Sequence, residues 1–301
     1  MKKKFKAFIS RIEEIYEKDY KKLMVIPIAL LLFFSGVLIY NQVTKGYLLE
    51  LDISLKGGTA ITFYSNQTFE LDFLEQKMSE FFSTDDVSAR KLKDIYGNLI
   101  GYDLQIGKEV TSSEIFSGFG EAIGVSLSPL NTSITQQSSK FAKSFFSDAL
   151  WVFLIAFFLM SIVIYFYFKS FVPAISITFS TMSDIVCILG VFALFHIKFS
   201  SATIGALLMI IGYSSDSDIL LATNILKRRE GRLMDRIKYA IKTELTMDLA
   251  AFVTYLIMFT LSNVEIIKHI AFVLFIAIFF DIINTWIQNA GLQRMYMERK
   301  K

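Results

Sequence analysis

Five aspartates lie in or beside stretches apolar enough to cross a membrane: Asp184, Asp216, Asp218, Asp248 and Asp281. Near the centre of a membrane helix each costs about 2.5–3.5 kcal/mol on insertion scales, so such a side chain faces other helices, a water-filled cavity or a partner rather than lipid. Their neighbours are polar at helical spacing. Ser176, Ser180 and Asp184 recur at i, i+4 and i+8; Ser214, Ser217 and Asp218 share a face; Asp281, Asn284, Thr285 and Gln288 form a third stripe. Asp216 stands about 200° round a helix from Asp218, so the two cannot address one neighbour. The apolar spans after the first contain no Lys or Arg, since Lys169, Lys198 and Lys268 fall in connections. A carboxylate without its own countercharge is met by hydroxyls and amides, takes up a proton, or pairs with a cation of another chain. Two chemistries follow: an ion or proton path, or hydrogen-bonding glue between helices.

Other chemistries find no footing. No glycine-rich phosphate loop precedes a helix, so no nucleotide engine is expected. No Ser/His/Asp grouping suits nucleophilic catalysis, and the expectation is a protein that is not an enzyme. His196 and His269 stand singly, which gives no metal-ligand spacing. The single cysteine, Cys187, excludes an intrachain disulfide. No cofactor and no nucleic acid are implied.

The elements that must position these acids are membrane helices. The stretch Ile210 to Arg229 (IIGYSSDSDILLATNILKRR) begins apolar, takes in two carboxylates and ends in a basic cluster, and with the residues upstream from Thr203 it reaches the length a spanning helix needs. The chain is 53% hydrophobic with a mean hydropathy of +0.49, too apolar for a soluble domain of this size. Spans are expected at Leu23–Tyr40, Trp151–Phe168, Phe171–Phe195, Thr203–Asn224, Met247–Leu261 and within Glu265–Gln288. The fold class is therefore a polytopic α-helical membrane protein with six transmembrane helices and one extracytoplasmic α+β domain of ferredoxin-like type between the first two. The corresponding division is a basic N-terminus at 1–22, helix 1 at 23–41, the α+β domain at 42–148, helices 2–6 at 149–288 with a basic loop at 225–246, and a tail at 289–301.

The intervening domain has fourteen acids against nine Lys and Arg and no stretch long enough to span. Leu48 to Tyr64 reads as two short strands around Gly57-Gly58, which permit positive φ at a strand bend. Thr68 to Phe82 has helical periodicity. Val87–Tyr96 and Leu99–Ile106 read as a hairpin around Gly97-Asn98. Ser112–Ile123 reads as a second helix with Thr111, Ser112 or Ser113 as its cap, and Val125–Ile134 as a last strand. That β-α-β-β-α-β order suits the ferredoxin-like arrangement. An aromatic run, Phe141–Ala149, then enters the membrane.

Orientation follows from loop charge. Residues 1–22 carry eight Lys and Arg against four acids, the 225–246 loop seven against three, and the tail MYMERKK is basic. These segments are expected in the cytoplasm beside anionic lipid, with both termini inside.

Two motifs, in order, carry a resemblance over nearly the whole chain. LDISLKGGTAITFY contains Asp52, Gly57, Gly58 and Thr59; IGYSSDSDILLATNILKRR contains Gly212, Tyr213, Ser214, Asp216 and Asp218; KTELTMDLAAF opens the fifth span. The chain resembles the SecD/SecF family of protein-export membrane proteins, of archaeal type, within the resistance-nodulation-division class. The resemblance implies an accessory subunit of the Sec translocase with a SecD-like subunit, a SecY-type translocon, exported unfolded polypeptides and the lipid bilayer as partners. In bacterial relatives it implies coupling to proton flux. The chain departs from the bacterial pattern: Asp216-Ser217 stands for Asn-Asp, and Leu245-Thr246-Met247 for Ser-Arg-Thr. Two other readings remain open here, a homodimeric small-molecule pump of the same class and a non-transporting insertase or scaffold.

Overall fold

The computed structural model describes residues 16–65, 67–93, 97–262 and 264–299. The lead-in at 1–15, the end of the predicted strand Val87–Tyr96 at 94–96 and the last two residues of the tail lie outside the described residues. In chain order the elements are α1 (Val25–Lys45), β1 (Gly58–Tyr64), α2 (Leu71–Phe82), β2 (Val87–Lys93), β3 (Leu99–Ile106), α3 (Ser112–Glu114, continued by a π turn Ile115–Phe119 and Gly120–Ile123) and β4 (Thr132–Gln137). They continue with α4 (Ser139–Phe168), α5 (Phe171–Leu194), α6 (Ser201–Ala222, with a π turn Thr223–Lys227), α7 (Leu233–Leu261) and α8 (Glu265–Ile283, with a π segment Asn284–Asn289 and Ala290–Arg299). Among the described residues six helices are long and apolar enough to cross a membrane: α1, α4, α5, α6, α7 and α8. The chain divides into two compact units, a sheet unit (51–151 and 198–201) and a helical unit formed by the remainder.

In the sheet unit all neighbours are antiparallel, in the order β2-β3-β1-β4. Alternation decides which residues enter the core. Ile61 and Phe63 of β1 and Tyr102, Leu104 and Ile106 of β3 point inward, and α2 lays Leu74, Met78 and Phe82 over them at i, i+4 and i+8. Ile115, Phe119 and Ile123 of α3 complete the layer. Thr111 caps α3 in a reciprocal capping box with Glu114. Asp103 and Gln105 alternate with the inward residues of β3 and are buried too, in a polar network. The Arg90 guanidinium and the Thr62 hydroxyl donate to Asp103 at 2.8 and 2.9 Å. The Gln105 amide donates to Asp52 Oδ2 at 2.9 Å, and Lys198 Nζ donates to Gln105 Oε1 at 2.8 Å and to Ser88. Loss of hydration, with Lys56 nearby, pulls the Lys198 ammonium below the ordinary lysine range.

Three sequence expectations give way in detail. The first of the two strands around Gly57-Gly58 is a helical turn, Ile53–Lys56. Asp52 caps it by accepting from Ser54 N at 3.0 Å, which competes with extended pairing. The last strand starts at Thr132 rather than Val125; the Asn131 carboxamide accepts from Ser128 N at 2.8 Å and donates to Ser126 O at 2.9 Å, holding the intervening loop. The fifth helix begins at Leu233 rather than Met247. Leu233, Ile237, Ala240 and Glu244 fall on one helical face despite the basic residues between them, so most of the expected linker is helix.

In the helical unit, burial ranks the helices. The apolar windows of α5 and α6 are 61% and 56% buried, those of α4 and α7 only 11%. Gly190 of α5 lets α1 close in, since a Cβ there would lie 2.4 Å from the Cβ of Phe34, whose ring meets Phe280 of α8 edge-on. The ends of the described chain lie together: the Tyr16 hydroxyl donates to Trp286 O, the Tyr20 hydroxyl to Glu298, and Arg294 to the Tyr16 and Glu17 carbonyls.

Candidate functional site in the membrane helices

The site is built from α5, α6, α7 and α8, and the π segment of α8 supplies most of its amides. A wider turn brings residues at i, i+1, i+4 and i+5 inward together. Asn284, Thr285, Gln288 and Asn289 are all buried on this segment. Asp184 is tied at both oxygens, by Ser214 Oγ at 2.8 Å and Asn284 Nδ2 at 2.7 Å. Asp218 accepts at one oxygen from Thr285 Oγ1 at 2.9 Å and Asn289 Nδ2 at 2.6 Å. Asn289 Oδ1 in turn accepts from Gln293 Nε2 at 2.7 Å and from Ser176. Thr285 Oγ1 also lies 3.3 Å from Asp281 Oδ1. One hydroxyl proton serves one carboxylate at a time, so this link joins Asp218 and Asp281 fully only when one of them carries a proton of its own.

The second part of the site faces α7. The Tyr213 hydroxyl donates to Asp248 Oδ1 at 2.6 Å. Asp248 stands with Asp281 and with Glu244, one turn before it on α7, and all three are buried.

The structure thus brings Asp184, Asp218, Asp248 and Asp281 into one buried region and gives Tyr213 and Ser214 direct contacts with two of them. Asp216 is apart from them. It is exposed on α6, in line with Gly205, Met209 and Gly212 on the same exposed face. A Cβ added at either glycine would meet nothing within 4 Å. The remaining motif residues belong to the sheet unit, where they set a bend. Gly57 and Gly58 have φ of +87° and +135°, and a Cβ on Gly58 would lie 2.2 Å from the Ile106 carbonyl oxygen. Thr59 Oγ1 donates to Lys108 O and accepts from Val110 N. Glu244 was not singled out by the sequence reading, which assigned it to a basic loop. The signal available was its i, i+4 spacing to Asp248.

A sequence profile described as protein export membrane protein SecD/SecF, C-terminal, matches residues 123–299, which contain every acid of this site. The chain belongs to the SecD/SecF family of protein-export membrane proteins. SecD/SecF relatives align over nearly the full length. The protein-export membrane protein SecF of Methanocaldococcus jannaschii is 36% identical over 290 residues, 93% of this chain and 96% of its own. That of Methanolacinia petrolearia is 33% identical over 292 residues, 95% and 97%. Among solved structures, SecDF of Thermus thermophilus, described as a translocon-associated membrane protein, superposes with a TM-score of 0.71 at 17% identity. It covers 94% of this chain, which spans 38% of that longer SecDF chain, and the likeness is one of fold.

Proposed function

We propose that this chain is an accessory subunit of the Sec translocase that acts with a SecD-like subunit to promote export across the cytoplasmic membrane. In this reading both termini are cytoplasmic, as the basic loops favour, and the sheet unit is the ferredoxin-like extracytoplasmic domain between the first two spans. Its β-α-β-β-α-β order and antiparallel sheet support that assignment. A SecY-type translocon and emerging unfolded polypeptides are the further partners. The chain moves polypeptide and makes or breaks no covalent bond.

The observation that carries the proposal is the buried acid network, in which Asp184 and Asp218 of α5 and α6 are held by amides and hydroxyls of α8. Family membership alone would not point to these side chains. Asp184, Asp218, Asp248 and Asp281 are the residues proposed to bind or pass an ion as the helices shift, and Asp216, exposed on α6, the one proposed to pair with the SecD-like subunit. The names of relatives aligned over more than nine-tenths of the chain favour export over a homodimeric small-molecule pump. The test is export of a signal-bearing reporter in cells carrying Asp216→Asn with Asp218→Asn, with and without a proton gradient. A loss of export in the variant, seen only when the gradient is present, is expected; unchanged export would overturn the role of these acids.

A further inference from the structure

Glu244 and Asp248 of α7 and Asp281 of α8 each place a carboxylate oxygen within 4.8 Å of the other two. Their exposures are 0%, 3% and 1%. Two of the three are oriented through one oxygen only, Asp248 by the Tyr213 hydroxyl and Asp281 by Thr285. Their second oxygens have no partner, and neither has either oxygen of Glu244. Four buried carboxylate oxygens in one small space are therefore without a donor. A buried acceptor left unmatched is costly, and three carboxylates sharing a site repel one another.

Elsewhere the same bundle satisfies one acid fully, although Asp218 also keeps one oxygen without a partner. Asp184, on the neighbouring helix, has a donor at each oxygen, so amides and hydroxyls are placed where no further ligand is needed. At the three-acid group the Tyr213 and Thr285 hydroxyls reach one oxygen of each aspartate and Ser217 and Ser214 stand beside Glu244 and Asp281, yet the remaining oxygens find no hydrogen-bond partner. Nor do Lys242 and Arg236 of α7 supply a countercharge. Lys242 is two residues, or about 200°, from Glu244 on the helix, and Arg236 donates to the Ile225 carbonyl at 3.2 Å.

We propose that Glu244, Asp248 and Asp281 bind a hard metal cation, with Glu244 offering two oxygens and each aspartate one. An all-oxygen, carboxylate ligand set selects hard ions over those that prefer imidazole or thiolate. Calcium accepts such a set in flexible geometry, whereas magnesium demands a near-ideal octahedron and gives up its waters reluctantly. Sodium presents the same hard chemistry with one charge fewer. The inference rests on the ion-binding role proposed above for Asp248 and Asp281 and deepens it; because it is read on the purified chain without an export assay, its failure would remove this site while leaving the export role to be judged by the reporter.

The experiment is thermal unfolding of the full-length chain, purified in detergent with chelator and choline chloride, then titrated separately with calcium, sodium and magnesium chlorides at matched ionic strength. Calcium or sodium is expected to raise Tm by about 5 °C when present at about a hundredfold excess over Kd. Glu244→Gln and Asp248→Asn should each lose that rise, while Glu230→Gln, at an exposed position outside the site, keeps it. If Glu244→Gln proves too unstable to purify, Asp248→Asn decides alone, because Tyr213 can still donate to its side-chain oxygen. No ion-specific rise in the unsubstituted chain, an equal rise in the two variants, or a magnesium effect as large as the calcium and sodium effects would overturn the proposal.

Discussion

At the scale of single residues, Thr285 bridges two acids of the network, because one hydroxyl lies between Asp218 and Asp281. Thr285→Val keeps the shape and removes the donor. It leaves Asp218 with Asn289 as its side-chain amide donor and Asp281 Oδ1 without its hydroxyl. The expected cost is about 1–3 kcal/mol, the range for a buried acceptor stripped of its partner, read as a lower Tm of the purified chain; Thr285→Ser should recover most of it. Lys198 makes a prediction of opposite character. Its folded pKa lies below the ordinary 10.5, so between those two values the unfolded chain binds more protons than the folded one. Stability contributed by this group therefore rises with pH through that window. Lys198→Met removes the titrating group, so the sheet unit's unfolding midpoint should lose that part of its alkaline rise while the rest of its pH profile is retained. The sequence made the acids conspicuous through their setting, since carboxylates in apolar stretches stand out by type alone. Their partners were legible only as stripes: which hydroxyl meets which carboxylate depends on helix rotation, and sequence periodicity does not fix the rotation of one helix against another.

At the scale of elements, legibility followed the strength of the local pattern. β3 was expected at Leu99–Ile106 and is found there, because Tyr102, Leu104 and Ile106 alternate with polar residues and tolerate no other register. The segment before Gly57 failed because Asp52 offers the backbone a local cap in place of a strand ladder. The start of α7 was missed for a different reason. Basic residues around Arg236 and Lys242 suggest a solvated linker, yet Lys242 lies opposite Ile237, Ala240 and Glu244, and Arg236, at the edge of that face, donates to the Ile225 carbonyl. The π segment of α8 could not be foreseen, since nothing in NTWIQN distinguishes a π turn from an α turn without the acids it has to reach. The bend at Gly57-Gly58 gives the element-scale prediction. Both residues have positive φ, and an added Cβ would press on Ser139 backbone atoms at 2.4 Å or on the Ile106 carbonyl at 2.2 Å. Gly58→Ala combines a left-handed backbone penalty of about 1–2 kcal/mol with a clash against a strand that cannot yield without breaking its ladder. Its Tm should fall by more than that of Gly97→Ala, where φ is also positive and no atom is in the way.

At the scale of the whole molecule, Asp216 separates what stabilises the solitary chain from what the assembled one requires. It is exposed on α6 beside Gly205, Met209 and Gly212, a face where small residues leave room for another helix to approach closely. Facing hydrocarbon it would cost up to about 3 kcal/mol, whereas Asp184, Asp218, Asp248 and Asp281 are buried among helices. If the proposed SecD-like subunit covers this face and supplies a donor or a cation, Asp216→Leu should have opposite effects in two measurements. The variant purified alone should unfold at the same temperature or higher, because an apolar side chain suits the exposed surface. Copurification of the coexpressed SecD-like chain should fall sharply, because the partner's donor then meets hydrocarbon and is itself left unpaired. A variant at an equally exposed apolar position of α4, such as Leu154→Ala, separates these effects from a general loss of surface, and should leave copurification unchanged. Retained copurification with Asp216→Leu would mean that the partner sits elsewhere, and a fall in both measurements would mean that Asp216 supports the fold of this chain rather than its assembly.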